Sequence, residues 1–453
     1  PPFVLLATAF VCWIGGRLRR RSSVWGPLCL LGLSIAEACL VPITFREWPI
    51  RDEASLDSRA SSNAAAGGEP LLVHGATAAP GLDLVWDSLS VVLTWSALAV
   101  GFLIVLTGVV RQRENVRSAD HHALVVLSAA GAVLTGMAGD LVSLYLALEL
   151  TSLPLCAIFW ISKPQPAAHE ASMKYLMLTF ASSGLLLLGF ALAYGLAGST
   201  DFDNIRHALG SHETLIEPQL VAETSPVLGV VSLVLVVAGL GFRVSVVPFH
   251  FGLKEVFSGV SIEAGLLPAA LPRLAALTAF LRVPLLAMAG LEQTGALVAL
   301  VLSGLTMTVF GALALRQTRL RAMIYYTFLA QGGLAVAGLA VAFRDAARTT
   351  LAPAVGAALP GGISSAMLMT AADLLAFVGI SALLVYLARP ENEVDFPEQL
   401  SGLLRSQPVA AVSAAVLILS LMGVPPLCGF WGRIEVFTAM LSTVGDAGGS
   451  LES

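Results

Sequence analysis

Charge is what this sequence has least of. Only 12% of its 453 residues are Asp, Glu, Lys or Arg, against 57% hydrophobic, and the mean hydropathy is +0.84. So little polar material cannot cover a soluble globule, which excludes a soluble enzyme. Basic residues gather in no patch and the net charge of −5 is spread over loops, so no nucleic-acid partner is expected. Cysteine is sparse as well. Cys12, Cys29, Cys39, Cys156 and Cys428 all fall in apolar segments without short paired spacing, which suggests neither a disulfide framework nor a metal site. They are expected to be buried small hydrophobes. What abounds is apolar length, and the class that follows is an all-α polytopic membrane protein whose first partner is the lipid bilayer.

Apolar segments of spanning length lie near 2-16, 24-44, 84-110, 121-138, 140-161, 172-197, 226-251, 264-287, 293-315, 322-343, 364-388 and 408-445. The fourth and fifth are separated only at Gly139-Asp140. Connections after odd-numbered helices hold fourteen of the twenty loop Arg and Lys residues, which places those loops in the cytoplasm and the N-terminus outside. The long connections 45-82 and 198-225 are then outside, as solvated segments rich in Ala, Gly, Ser, Asp and Glu. The chain opens on Pro1-Pro2 without methionine and closes on a Gly/Ser-rich tail, so both ends are expected to be cuts in a longer protein.

The chain is arranged around the stretch from Pro226 to Arg273. Its apolar run carries Arg243 in its second half and breaks at Pro248, just before Phe249-His250-Phe251. A connector with Lys254, Glu255 and Glu263 leads to a segment holding Pro268, Pro272 and Arg273. In lipid, a broken helix survives only where protein or trapped water satisfies the freed backbone, and an unpaired charge costs several kcal/mol. This region therefore reads as a bundle interior. A second break falls at Gly423-Val-Pro425-Pro426, beside Arg433, and two breaks five helices apart fit an inverted-repeat transporter architecture.

The ionisable residues left inside the membrane are Glu37, Glu149, Lys174, Arg243, His250, Arg273, Arg282, Asp373 and Arg433, with Glu435 close by. Arg282, near a helix end, is expected to snorkel to the interface. Opposite signs on different helices allow pairing across the bundle, for example Glu149 with Arg243. Two readings stay open: structural ion pairs that fix helix register, or a polar axis along the midplane for proton or cation movement. Gln331 is expected to bond a neighbouring backbone, and His121 and His122, at a helix end, to lie at the interface. Glu37 either pairs with a neighbouring subunit or snorkels.

The segment Gly139-Asp140-Leu-Val-Ser-Leu-Tyr-Leu-Ala-Leu-Glu149-Leu-Thr-Ser-Leu-Pro154 resembles the fifth helix of the antiporter-like subunits of respiratory complex I. The likeness runs on through Ala171-Ser-Met-Lys174-Tyr, Gly241-Phe-Arg243-Val-Ser-Val-Val-Pro248-Phe-His250, Leu271-Pro272-Arg273 and Gly423-Val-Pro425-Pro426-Leu-Cys-Gly429-Phe-Trp-Gly432-Arg433. The wording of Ala171-Ser-Met-Lys-Tyr and Leu374-Leu-Ala-Phe is similar to subunit N of bacterial NADH-quinone oxidoreductase rather than to subunits L or M. The resemblance covers about 85 to 445. It implies an antiporter-like inverted-repeat helix bundle with broken helices 7 and 12. Residues 1-110 would then be N-terminal helices 1-3, 121-287 a first repeat (helices 4-8), 293-445 a second, incomplete repeat (helices 9-12) and 446-453 a tail.

The resemblance further implies a proton-translocating subunit of the bacterial inner membrane, packed among other membrane-arm subunits. It would bind no redox cofactor, quinone and NADH being used elsewhere in the complex. Carried over by position, the family's helix-5 glutamate is Glu149, and its lysines on helices 7, 8 and 12 fall on Arg243, Arg273 and Arg433. Those departures matter. A buried lysine can release a proton near neutral pH, whereas a guanidinium stays charged. The proton pathway is thus expected to involve Glu149, Lys174, Arg243, His250, Arg273, Asp373 and Arg433, with Glu149, Lys174 and His250 as carriers and the arginines as fixed charges. The alternative is a diverged paralogue with permanently closed charge pairs and a structural, non-pumping role. Subunits of cation/proton antiporter and membrane-bound hydrogenase complexes share the architecture and form a third class.

Overall fold

The computed structural model describes residues 2–18, 25–47, 84–85, 88–111, 118–162, 165–210, 225–250, 260–287, 291–348, 361–388 and 396–449. Among them there is no strand, only two isolated bridges, Leu84 with Ala138 and Asp140 with Asp201. The helices are α1 (Pro2–Leu18), α2 (Trp25–Glu47), α3 (Ser88–Arg111), α4 (Ser118–Met137), α5 (Leu141–Ser162), α6 (Pro166–Ala197), the short α7 (Phe202–Gly210), α8 (Ser225–Val244), α9 (Leu266–Ala287), α10 (Glu292–Leu315), α11 (Leu320–Arg348) and α12 (Gly361–Leu387). A 3-10 turn (Pro397–Leu400) and a single helical turn, α13 (Leu403–Ser406), lead to α14 (Pro408–Met422) and α15 (Cys428–Gly449).

Every apolar segment expected from the sequence contains a helix, with non-helical described residues at 84–85, 138, 140, 245–250, 264–265, 388 and 423–427. Among the described residues seven helices, α3, α5, α6, α8, α10, α11 and α12, are each long and apolar enough to cross a membrane. The apolar stretches of α1, α2 and α14 are shorter. At 15 residues α14 reaches only about 22 Å, less than the ~30 Å of a hydrocarbon core. Large apolar side chains such as Leu146, Phe180, Leu188, Leu297 and Val412 are exposed on the outside of the bundle, as a lipid-facing surface requires.

The hub is α9, which touches α3, α4, α5, α7, α8, α11 and α12. Its residues are buried without interruption from Ala270 to Phe280, so Arg273 lies in the middle of the protein. Lipid offers no hydrophobic drive for helix association, which leaves close packing and polar contacts to hold the bundle. The α6–α8 seam shows both. A Cβ at Gly239 would come within 2.9 Å of the Leu186 amide nitrogen, and one at Gly189 within 3.0 Å of that of Val236. Ser182 donates to the Gly239 carbonyl and Ser232 to the Gly189 carbonyl, each at 2.8 Å. This seam brings the Ser182-Ser183 pair against the C-terminal turn of α8.

Both expected breaks coincide with helix ends. Helix α8 stops at Val244, where Ser245 takes the left-handed φ of 67° and the Val247–Pro248 bond is cis. The Val247 amide is anchored on Thr306 Oγ1 of α10 (3.1 Å). Residues 251–259, including Lys254 and Glu255, lie outside the described residues, so the far half of this segment does too. Helix α14 stops at Gly423 (φ 76°), the Pro425–Pro426 bond is cis, and α15 starts at Cys428.

Candidate functional site

Five of the expected charges meet in the centre. On the first side, Arg243 at the end of α8 reaches α5 and α6. Its Nη2 donates to Glu149 Oε1 and to Ser183 Oγ (2.7 Å), its Nη1 to Ser152 Oγ (2.6 Å) and the Leu148 carbonyl (3.2 Å), and its Nε to Ser182 Oγ (3.1 Å). A guanidinium has five N–H donors, and here every one is used. Ser183 also donates to Glu149 Oε1 (2.5 Å), so the carboxylate is held from two helices. The Arg243 side chain is only 6% exposed and that of Glu149 14%.

The second side uses the break between α14 and α15. A helix end leaves carbonyls unsatisfied. Arg433 on α15 takes up that of Leu421, donating to it from Nη2 (2.5 Å), and its Nη1 donates to the Ser420 (3.3 Å) and Gly429 (3.1 Å) carbonyls. Nη2 also pairs with Asp373 Oδ1 of α12 at 3.1 Å, and Nε donates to Gln331 Oε1 of α11 at 3.4 Å. All five donors are again used. Gln331 returns its amide to the Leu421 carbonyl (3.1 Å), the backbone bond expected of it. Asp373 is buried, and its Oδ2 has no hydrogen-bond partner.

Between the two sits Arg273. Its Nη2 donates to the carbonyls of Phe328 (2.9 Å) and Leu329 (3.3 Å), and its guanidinium lies over the Phe328 ring at 4.0 Å. Gly332 makes room, since a Cβ there would run into Nη2. Nε and Nη1 have no hydrogen-bond partner, and among the described residues no carboxylate pairs with Arg273. A cavity of about 50 Å³ is lined by Arg243 and Arg273 together with Ser152, Thr179, Ser182 and Tyr325. A space of that size holds water, which needs at least about 10–15 Å³.

Residues 138–448 match the family described as NADH:quinone oxidoreductase/Mrp antiporter, TM. This chain belongs to that family. Within it, the chain is 32% identical over 335 residues to NADH-quinone oxidoreductase subunit N of Paramagnetospirillum magneticum, covering 73% of this chain and 64% of that protein. It is 34% identical over 384 residues to subunit N 2 of Roseiflexus castenholzii, covering 83% and 72%. The aligned part spans just under two thirds of the length of the first of these. In fold it is similar to a chain of respiratory complex I from Thermus thermophilus (TM-score 0.68, 24% identity, 98% of this chain and 83% of that one). A chain of the Mrp complex from Dietzia sp. DQ12-45-1b is likewise similar (TM-score 0.73, 20% identity, 98% and 75%). The fold is thus that of the antiporter-like subunits, an all-α, multi-pass membrane bundle.

Not every expected member of this antiporter-like site is in it. Lys174 of α6 pairs with Glu170 at 2.8 Å and its side chain is 40% exposed. It lies eight residues before Ser182, about 12 Å along the helix. His250 packs edge-on against Phe310 at 5.2 Å, beyond the α8 end. Arg282 does not snorkel: it is 2% exposed and donates to the Gly136 carbonyl at 2.6 Å, because α9 is enclosed along its length. His122 is buried rather than interfacial, since α4 is covered there by α2 and α3 at Gly26 and Gly108. Cys12, Cys29 and Cys156 are buried, the first two with sulfurs 3.1 Å apart, whereas Cys39 and Cys428 are exposed on outward helix faces. Glu37 is half-buried on α2. The residues that sequence reading missed are Ser152, Ser182 and Ser183. Ser152 lies three residues after Glu149, and Ser172, Thr179 and Ser183 follow helical spacing on an apolar helix, which was the available signal.

Proposed function

We propose that this chain is a membrane-arm subunit of a proton-translocating NADH-quinone oxidoreductase in the bacterial inner membrane, with its N-terminus outside. It would be packed against other membrane-arm subunits and have no redox cofactor of its own. NADH and quinone would react elsewhere in the complex. The observation that carries this reading is the buried line of charge from Glu149 and Arg243, past Arg273, to Asp373 and Arg433. It crosses the bundle interior in a chain whose named relatives are subunits N. Charges at that depth are costly enough to need a use.

In this reading the carriers are the carboxylates. Arginine keeps its proton, so Arg243, Arg273 and Arg433 set the field while Glu149 and Asp373 take up and release protons. Lys174 drops out of the route because it is turned to the outer face. A proton reaching one carboxylate weakens its arginine pair and changes the field on the next group, which is coupling by electrostatics alone. A second reading is favoured by the full use of all five donors on both Arg243 and Arg433. Such forks are rigid, and permanently closed pairs describe a structural, non-pumping subunit.

The experiment uses inverted membrane vesicles carrying the full-length protein in its complex, with NADH-driven acidification followed by a pH dye. If the pumping reading holds, Glu149→Gln and Asp373→Asn lower the proton yield per NADH, and Arg243→Lys does not improve it. An unchanged yield in both carboxylate variants, with NADH oxidation intact, establishes the structural reading instead.

A further inference from the structure

We propose that the outward side of α2 around Glu37 is a docking surface for a transmembrane helix of a neighbouring subunit, one that carries a lysine or arginine at the same depth. The inference starts from position. Glu37 lies twelve residues after Trp25 and nine before Arg46, roughly 18 Å and 13 Å along the helix axis. Two methylenes and a carboxyl cannot span either distance, so Glu37 does not snorkel to an interface. Among the described residues it has no ion-pair or hydrogen-bond partner. A carboxylate at that depth needs one.

The packing of α2 shows which side is uncovered. Cys29, Leu33, Ala36 and Leu40 are fully buried, with Gly32 set against Thr8 of α1 and Gly26 against Val109 of α3 and His122 of α4. Leu31, Ser34, Ile35, Ala38 and Val41 are exposed on the other side, and half-buried Glu37 lies at the edge of that side. Ser34 and Ala38, four residues apart, are small enough for a second helix to come close. Ser34 turns its hydroxyl back onto the Leu30 carbonyl (2.9 Å), so the polar demand of this side comes from Glu37. Lipid tails leave that demand unmet. A second copy of this chain meeting the same side across a two-fold axis would set Glu37 against Glu37. A helix bearing a basic side chain meets the charge with charge-assisted hydrogen bonds and the small residues with close packing. The inference rests on the proposed placement of the chain among other membrane-arm subunits and is independent of whether it moves protons.

The test uses the full-length protein in its native membrane, with the photoreactive residue p-benzoylphenylalanine placed at Ser34 or at Ala38 and the adducts mapped by mass spectrometry. Both positions are expected to cross-link to one transmembrane helix of a different subunit, with a lysine or arginine within one turn of the adduct. Glu37→Lys sets two like charges against each other and is expected to lower the share of the chain that co-migrates with the complex on native gels by at least about tenfold. Exchanging the neighbour's basic residue for glutamate in the same strain is expected to restore that share, which separates pairing from misfolding. Adducts with lipid alone, with a second copy, with another segment of this chain or with a helix lacking a basic residue overturn the proposal. So does Glu37→Lys assembling at the native level, or a charge exchange that restores nothing. A native chain that migrates outside any complex overturns the placement itself, whereas one that stays in the complex with such adducts overturns this surface alone.

Discussion

Arg243 and Arg273 line one cavity, yet they are held in opposite ways. Arg243 sits in a ring of hydroxyls from Ser152, Ser182 and Ser183 with Glu149 closing it, whereas Arg273 has two backbone carbonyls, an aromatic face and three unused N–H donors. The first arrangement fixes a charge in place by satisfying every donor. The second holds the guanidinium by one nitrogen and leaves the other two buried without a hydrogen-bond partner. A buried arginine is therefore not one kind of feature in this bundle: Arg243 and Arg433 are saturated with hydrogen bonds, and Arg273 is not.

The largest effect is expected where saturation is broken. Glu149→Ala removes the countercharge of a 6%-exposed guanidinium and should cost about 3–5 kcal/mol. It would be read as a lowered unfolding midpoint of the purified full-length protein. A loss below about 1 kcal/mol would mean that the hydroxyls alone hold Arg243, and the contrast with Arg273 would collapse.

One substitution applied to both arginines sharpens the comparison. Lysine has three donors in place of five. Arg243→Lys thus strands at least two of the surrounding acceptors and is expected to cost about 2–4 kcal/mol, since a hydrogen bond to a charged group is worth about 1.5–3 kcal/mol. Arg273→Lys still reaches the Phe328 and Leu329 carbonyls and should stay under about 1 kcal/mol, which is within the range of one ordinary hydrogen bond. Equal losses in the two variants, measured side by side by thermal unfolding, would refute the distinction between an anchored and an open guanidinium.

At the far side, Gly423→Ala tests the break that supplies the carbonyls for Arg433. Gly423 has φ 76°, and a left-handed conformation costs a side chain about 1–2 kcal/mol. A Cβ there would also press on Arg433 Nη1. The expected outcome is a stability loss of about that size, accompanied by a displaced Arg433 in the variant structure. An undisturbed Arg433–Asp373 pair would show that α12, and not the helix break, positions this arginine.

Much of this was legible beforehand because lipid makes the rules strict. Spans must be long and apolar, prolines must break them, and charges must have reasons, so the helices, both stops and the Glu149 and Arg243 pair could be read from residue order. What could not be read was azimuth. The position of Lys174 on its helix places it at membrane depth, but which way it faces depends on how α6 lies against α5 and α8. The same gap hid the enclosure of Arg282 and His122, which follows from α9 and α4 being covered on all sides. It also hid Asp373 as the partner of Arg433, because the helix break that aims Arg433 has no signature beyond Gly423 and the two prolines.

Lys174 provides the smallest and most discriminating test. It shares the α6 helix with Ser182 and Ser183, and a lysine can titrate where arginine cannot, so by residue type alone it is the natural carrier. Its geometry argues otherwise. It pairs with Glu170 one turn back, the two side chains being 40% and 65% exposed, which is the arrangement of an exposed helix pair worth about 0.3–0.5 kcal/mol. Lys174→Gln should therefore change stability by no more than about that amount and leave NADH-driven acidification at the native level. If acidification falls while stability holds, Lys174 belongs to the proton route, and the route runs along the outer flank of α6 instead of through the cavity between Arg243 and Arg273.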